Sequence, residues 1–422
     1  MTYGPHGGTP SPQLDPRHHA VVTAITPWYK RSIVRILLMI ATLGVIGVCA
    51  GIMLMLIGVQ LGPGLTLVAA GFAAIPVPLL LMAFLWLDRY EPEPWHYLAA
   101  TFCWGAFVAT LAALFINTTS AEAYRLEGGT EPMKVIAVFV APPAEEISKA
   151  IPLFILLGLI FFGRRNIHGV VDGIVYAGFA AVGFAFTENV LYFGRAYVEG
   201  SEQGSGAGIG ALIATFIMRA VMSPFAHPMF TVMTGIGVGI AARSRKWSTR
   251  IIAPLIGLLL AIFLHGLWNF FASRGDLKVL FIGYIAVMIP IFLLLSGIAI
   301  WVRRRESNIT NTALPAYVAA GWLTAEELHS LSSMRERLIA RDWARSYGGS
   351  HGAKAMQAFQ LAATRLAILR DDAVRGIRRN DYANQERELL NTLTWRRREV
   401  LSYVWRWTRP SSATPYSLVP TR

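Results

Sequence analysis

Eight runs of apolar residues, each long enough to cross a bilayer, follow one another at about 33 to 60, 63 to 87, 96 to 117, 135 to 162, 170 to 194, 208 to 241, 251 to 273 and 279 to 302. A hydrocarbon layer of ~30 Å takes ~20 helical residues, and backbone polar groups inside it must be satisfied within the segment. The expected fold is therefore all-α: a polytopic membrane helix bundle of about eight spans with a small cytoplasmic helical C-terminal domain. Composition agrees, because 54% of the 422 residues are hydrophobic and only 15% are charged, less charge than a soluble domain of this length carries. The two cysteines, Cys49 and Cys103, sit in different runs and offer no disulfide framework or Cys-based metal site.

A formal net charge of +13 invites a nucleic-acid partner, but the distribution of basic residues argues against one. Lys30, Arg31 and Arg35 stand at the start of the first run, Arg164 and Arg165 follow the fourth, Arg243, Arg245, Lys246 and Arg250 follow the sixth, and Arg303, Arg304 and Arg305 follow the eighth. All fall on one side of the bundle. The positive-inside rule then predicts a multi-pass cell-membrane protein with both termini cytoplasmic, whose partner is the lipid bilayer rather than nucleic acid. The connection Asp88 to Trp95 departs from the pattern, with only Arg89 on the basic side. The run 208 to 241 is too long for one straight span and contains Pro224 and Pro228, so a kink or a re-entrant turn is expected there.

Four regions follow. Residues 1–32, rich in Pro, Gly and His, read as a disordered cytoplasmic tail, 33–302 as the membrane domain, 303–408 as the cytoplasmic helical domain and 409–422 as a disordered tail. Within the third, Thr324-Ala325-Glu326-Glu327 has the form of a capping box, and Ala355 to Leu369 repeats apolar residues at helical spacing.

Against this background the charges at membrane depth stand out. A carboxylate or ammonium at the centre of a span costs at least ~2.5 to 3.5 kcal/mol on insertion scales. The stretch Ala141 to Ala150 nevertheless carries Glu145, Glu146 and Lys149; the fifth run carries Glu188, Asn189 and Tyr192, the sixth Arg219 and His227, and the seventh His265 and Asn269. Glu145 and Lys149, Glu188 and Tyr192, and His265 and Asn269 are each one turn apart, so each pair shares a helix face. Counted from the run ends, Glu145, Glu188 and His265 fall within roughly one turn of a common depth at ~1.5 Å per residue. Singly, each residue has a structural explanation, such as an intrahelical ion pair or a satisfied core histidine. Together at one level they indicate a site in the outer half of the bilayer.

Two chemistries fit. In one, Glu188, His227 and His265 hold a divalent metal such as zinc and a spare carboxylate is the general base. In the other, a buried Glu activates water and His and Asn side chains stabilise an oxyanion. The expected catalytic set is Glu145, Glu146, His227, His265 and Asn269, with Glu146 preferred for water activation and Asn269 orienting His265.

At these residues the chain resembles the PrsW family of intramembrane proteases, related to the CAAX-type prenyl-protein proteases. The matching pieces are Glu145-Glu146-x-x-Lys149, the run D-G-I-V-Y-A-G-F from Asp172, G-F-A-F-T-E-N from Gly183 to Asn189 with Tyr192 after it, the His227 segment and H-G-L-W-N from His265 to Asn269. Asp88 to Pro94 and Trp104-Gly105 are similar to the family's early segments. The resemblance covers about residues 85 to 272 and makes 33–302 a protease-like domain. It implies an endopeptidase acting on membrane-anchored proteins, in the founding type an anti-sigma factor cut on its outer side. Two rivals carry different expectations. An ion-coupled transporter would also use intramembrane Glu and His, but no twofold internal repeat is visible; a non-catalytic scaffold would reduce Glu145 to Lys149 to a buried ion pair. Oligomeric state is left open.

Overall fold

A computed structural model describes residues 28–158, 167–204, 206–377 and 382–408. The expected terminal tails lie largely outside these residues. The described residues are helical with no strand among them, as a chain of apolar runs requires. They form two compact units that divide after Val48. The first contributes the start of helix α1 (Trp28–Ala74), with exposed Leu37, Met39, Ile40 and Leu43. Helix begins at Trp28, inside the stretch expected to be tail.

The second unit holds everything else. Six helical stretches are long and apolar enough to cross a membrane: Met39–Leu87, Trp95–Leu126, Val170–Ser201, Ala207–Ala242, Trp247–Ser273 and Leu277–Ala319. The expected count of eight differs for two physical reasons. The first two runs join into one helical stretch, interrupted where Gly62 takes φ 73° and Pro63 restarts the helix. The fourth run carries three charges, Glu145, Glu146 and Lys149, which lower its apolarity.

Helices α2 (Val77–Leu87), α3 (Trp95–Cys103), α4 (Thr110–Leu126) and α5 (Pro132–Val135) lead to α6 (Ala141–Gly158). Then come α7 (Val170–Ser201), α8 (Ala207–Phe216), α9 (Ala226–Ala242), α10 (Trp247–Ser273), α11 (Leu277–Gly283) and α12 (Ile289–Ala313). Short π-helical turns at Trp104–Ala109, Ile136–Val140, Ile217–Met222 and Tyr284–Met288 interrupt the spans. Such turns widen the hydrogen-bond ladder and occur often at functional sites. Between α8 and α9 the Ile217–Met222 turn and Pro224 divide the over-long run, the kink expected there.

Helix α7 is central, with 89% of its apolar window buried. Glycine is the reason its neighbours approach so closely. A Cβ added at Gly173 would lie 2.0 Å from the Gly235 carbonyl oxygen, one at Gly235 would lie 2.2 Å from that of Gly173, and one at Gly183 would lie 2.0 Å from that of Phe102. Backbone thus packs on backbone along α7, α9 and α3, the small-residue packing favoured between helices in lipid.

Beyond the last span, α13 (Pro315–Ala319), α14 (Ala325–Leu331), α15 (Met334–Val374) and α16 (Tyr382–Thr408) share an apolar core with α12 that includes Leu314, Leu331, Phe359, Leu366 and Leu393. The capping box forms at Thr324 and Glu327. Arg337, 1% exposed, donates to Thr364 Oγ1 at 2.9 Å, Leu331 O at 3.2 Å and Tyr90 O at 3.4 Å. It therefore links α15 to the α2–α3 connection. Burial lowers its pKa to about 10, which leaves it charged at neutral pH.

Candidate functional site

Four helices bring the intramembrane polar residues together. On α6, Glu145, Glu146 and Lys149 are all buried, the last two completely. Glu146 is the most engaged. Its Oε1 accepts from Lys149 Nζ at 2.5 Å and lies 3.0 Å from His265 Nδ1, and its Oε2 accepts from Thr231 Oγ1 at 2.8 Å. Trp104 Nε1 donates to Ser148 O at 3.0 Å and steadies the α6 turn that holds the pair.

Helix α7 delivers Glu188, and the π turn Ile217–Met222 delivers Arg219 opposite it. Arg219 donates to Glu188 Oε2 at 2.5 Å and to Asn189 Oδ1 at 2.7 Å, and its guanidinium lies 3.8 Å from the Tyr192 ring centre. Glu188 Oε2 is also 2.7 Å from His227 Nε2. The two imidazoles stand 5.1 Å apart, edge to face, and Phe230 stacks on His265 at 5.0 Å. Phe184 covers Lys149, whose Nζ is 4.3 Å from its ring centre.

Glu145 differs from its neighbours. Its Oε2 is buried with no hydrogen-bond partner, 3.7 Å from His265 Nε2 and 4.0 Å from Lys149 Nζ. One ligand atom each from Glu145, His227 and His265 lies within 4.8 Å of the other two. The chemistry of these donors fits a divalent ion. Each imidazole has one nitrogen against a carboxylate, His265 Nδ1 on Glu146 and His227 Nε2 on Glu188, the outer-shell support that metal-ligating histidines show. That leaves His265 Nε2 facing the unpartnered Glu145 oxygen. Lys149 Nζ stands 3.3 Å from His227 Nδ1, so an ammonium occupies one flank of this triad.

The structure therefore brings together Glu145, Glu146, Glu188, His227 and His265. Glu145 forms the close group with the two imidazoles, while Glu188, expected among the metal ligands, contacts His227 and Arg219. Asn269 lies apart. Its Nδ2 donates to Ala137 O at 2.8 Å, joining α10 to the π turn before α6, where the altered ladder leaves a carbonyl to accept it. Sequence reasoning missed Thr231, whose only signal is a hydroxyl one turn beyond His227, and did not pair Arg219 with Glu188.

A second polar cluster lies near the start of α7. Glu93, His168 and Asp172 also place one ligand atom each within 4.8 Å of one another. Burial pushes the nearby Asp88 carboxyl up to about 8 and that of Glu93 up to about 10, with the negative charge of Asp172 adding to both.

A profile of the family described as PrsW family intramembrane metalloprotease matches residues 93–295. A Protease PrsW of Clostridioides difficile is 32% identical over 123 residues, 28% of this chain and 48% of that protein. The matched segment thus spans about half the length of that relative. A Protease PrsW of Oceanobacillus iheyensis is 24% identical over 246 residues, 58% of this chain and 98% of that protein. No solved structure matches.

Proposed function

We propose, from the match of residues 93–295 to the PrsW family of intramembrane metalloproteases, that the centre formed by Glu145, Glu146, Glu188, His227 and His265 hydrolyses peptide bonds of membrane-anchored proteins. The observation that carries this reading is the buried Glu145 Oε2, without a hydrogen-bond partner and 3.7 Å from His265 Nε2. An unsatisfied buried carboxylate oxygen is costly, and its persistence beside an imidazole is accounted for by a water or ion that it meets in function.

Glu145, His227 and His265 would hold a divalent ion such as zinc. Such an ion supplies Lewis acidity and a more acidic water. The remaining residues orient and balance. Glu146 holds His265 by Nδ1, Glu188 holds His227 by Nε2, and Lys149 and Arg219 offset the two carboxylates that would otherwise be buried charges. Phe184 and Phe230 keep bulk water from the imidazoles. A second reading rests on Lys149 Nζ standing 3.3 Å from His227 Nδ1: with that ammonium as the resident cation, Glu145 takes the proton of the attacking water directly. Of the two carboxylates the sequence offers for water activation, Glu145 and the preferred Glu146, this second form uses Glu145. The metal content of purified protein, compared between the unmodified chain and His265→Ala, separates the two.

A narrow pocket lined by Pro76, Val77, Leu80 and Trp268 reaches Arg219 and His227, and in this reading it widens to admit the substrate segment. Water adds across the peptide bond to give a carboxylate and an amine. The substrates are membrane-anchored proteins cut near the outer face, an anti-sigma factor among them. The test compares new N-termini of membrane proteins, by mass spectrometry, in cells carrying the unmodified chain or Glu145→Gln at matched abundance. Defined termini that vanish in the variant support the proposal; identical sets under several stresses refute it and favour the scaffold reading.

A further inference from the structure

Five carboxylates, those of Asp88, Glu91, Glu93, Asp172 and Glu306, gather with His168 where the α2–α3 connection meets the start of α7 and the last third of α12. Their contacts with each other are few. Tyr176 donates to Glu93 Oε2 at 2.7 Å, Glu93 N donates to Asp88 Oδ2 at 2.8 Å, and His168 N donates to Asp172 Oδ2 at 2.5 Å. Among the described residues, the arginine within 4.0 Å of this group is Arg365, whose Nε is 3.5 Å from Glu91 Oε1. Arg243, on the same wall, is committed to Asp371 and Asp372, and Arg303 lies 4.0 Å from the Trp86 ring centre. Among the described residues the carboxyl groups here outnumber the cationic side chains beside them, Arg365, Arg243 and Arg303.

The cluster also contains a gap. Asp88, 4% exposed, lines a cavity shared with Glu91, His168, Asp172 and Glu306, and its Oδ1 has no hydrogen-bond partner. Glycine keeps that space open, since a Cβ at Gly169 would lie 2.4 Å from Glu306 Oε1. We propose that Glu93, His168 and Asp172 bind a second divalent cation, of manganese type, at the start of α7 and away from Glu188 in its second half. One ligand atom from each already lies within 4.8 Å of the others, and the orphan Asp88 oxygen and Glu306 supply further oxygen close by. A donor set dominated by carboxylates with one imidazole suits Mn²⁺, where oxygen and nitrogen preferences overlap, better than a thiolate-seeking or all-imidazole metal. The cation ties the α2–α3 connection to α7 and α12, with Glu91 passing the link to α15 through Arg365, so it is a fastener between the membrane helices and the C-terminal helices.

The experiment uses the full chain in detergent, stripped with chelator, in a Glu145→Gln, His265→Ala background that removes ligands of the first centre. Mn²⁺ is titrated and followed by electron paramagnetic resonance. The expected result is one bound Mn²⁺ with nitrogen modulation from a single imidazole, loss of that modulation in His168→Ala, and ten- to a hundredfold weaker binding in Asp88→Asn. His168 is partly exposed, so its truncation leaves the fold intact; circular dichroism and gel filtration check that. Mn²⁺ affinity and nitrogen modulation unchanged by His168→Ala overturn the proposal, as does absence of bound Mn²⁺ in the parent background.

Discussion

Replacing Gly235 by alanine is the sharpest probe of how the site is held. The added Cβ would lie 2.2 Å from the Gly173 carbonyl oxygen and 2.7 Å from its carbonyl carbon. A carbon–oxygen contact settles near 3.3 Å or beyond, so α9 must move from α7 by about 1 Å. Gly235 is two turns beyond His227 and one beyond Thr231, and the displacement passes along α9 to the 2.7 Å contact of His227 with Glu188 and the 2.8 Å bond of Thr231 to Glu146. Overpacking of this kind costs about 1 to 3 kcal/mol of stability, and misplacement of catalytic groups by about 1 Å costs on the order of a hundredfold in rate, which is about 2.7 kcal/mol of barrier. The control is Gly297→Ala on α12, where a Cβ meets nothing within 4 Å. Cleavage of a reporter substrate, together with thermal unfolding in detergent, reads both effects. Activity in Gly235→Ala equal to that of Gly297→Ala would refute the claim that backbone contact sets the site.

Arg219→Ala strands Glu188 at 15% side-chain exposure and is expected to destabilise the protein by about 3 to 5 kcal/mol, whereas Arg219→Lys, able to restore the charge but not the fork to Asn189, should recover part of it; equal unfolding temperatures for the two variants would contradict the pairing. Thr231→Val removes one donor from Glu146 while conserving shape and should cost about 1 to 3 kcal/mol, the penalty of a buried acceptor left short; an unchanged unfolding temperature counts against that bond. Cytoplasmic termini with eight alternating crossings, the first two made by the halves of the stretch broken at Gly62, predict that, in a chain freed of Cys49 and Cys103, Glu127→Cys reacts with an impermeant maleimide in intact cells and Lys246→Cys only after permeabilisation, and any other pattern would contradict that topology.

The apolar runs were legible because burying backbone in lipid leaves helix as the sole outcome, and the bend in the 208 to 241 run because proline announces it. The capping box was legible because all its partners lie within four residues. Glu145, Glu146, Glu188, His227 and His265 stood out because ionisable groups are so expensive at membrane depth. Which of them face one another was not legible. Glu145 and Glu188 are equally acidic in sequence, and only the approach of Arg219 across 31 residues commits Glu188 and leaves a Glu145 oxygen unpaired. The partner of Asn269 was hidden for the same reason: its spacing places it one turn from His265, but its amide donates to Ala137 O on another helix. The cluster around Asp88 and Asp172 escaped attention because charged residues at helix ends are ordinary, and nothing local says that five of them meet.

The glycine contacts along α7 also bear on how such a protein tolerates change. Because the helices that carry the site are spaced by main chain against main chain, the outward-facing residues of the same spans have no part in setting distances at the centre. Leu259, Leu260 and Phe263 on α10 are widely exposed while His265, a few residues away, is 2% exposed. The lipid-facing coat can therefore be rewritten for a thicker, thinner or differently composed membrane while the reactive geometry stays where it is.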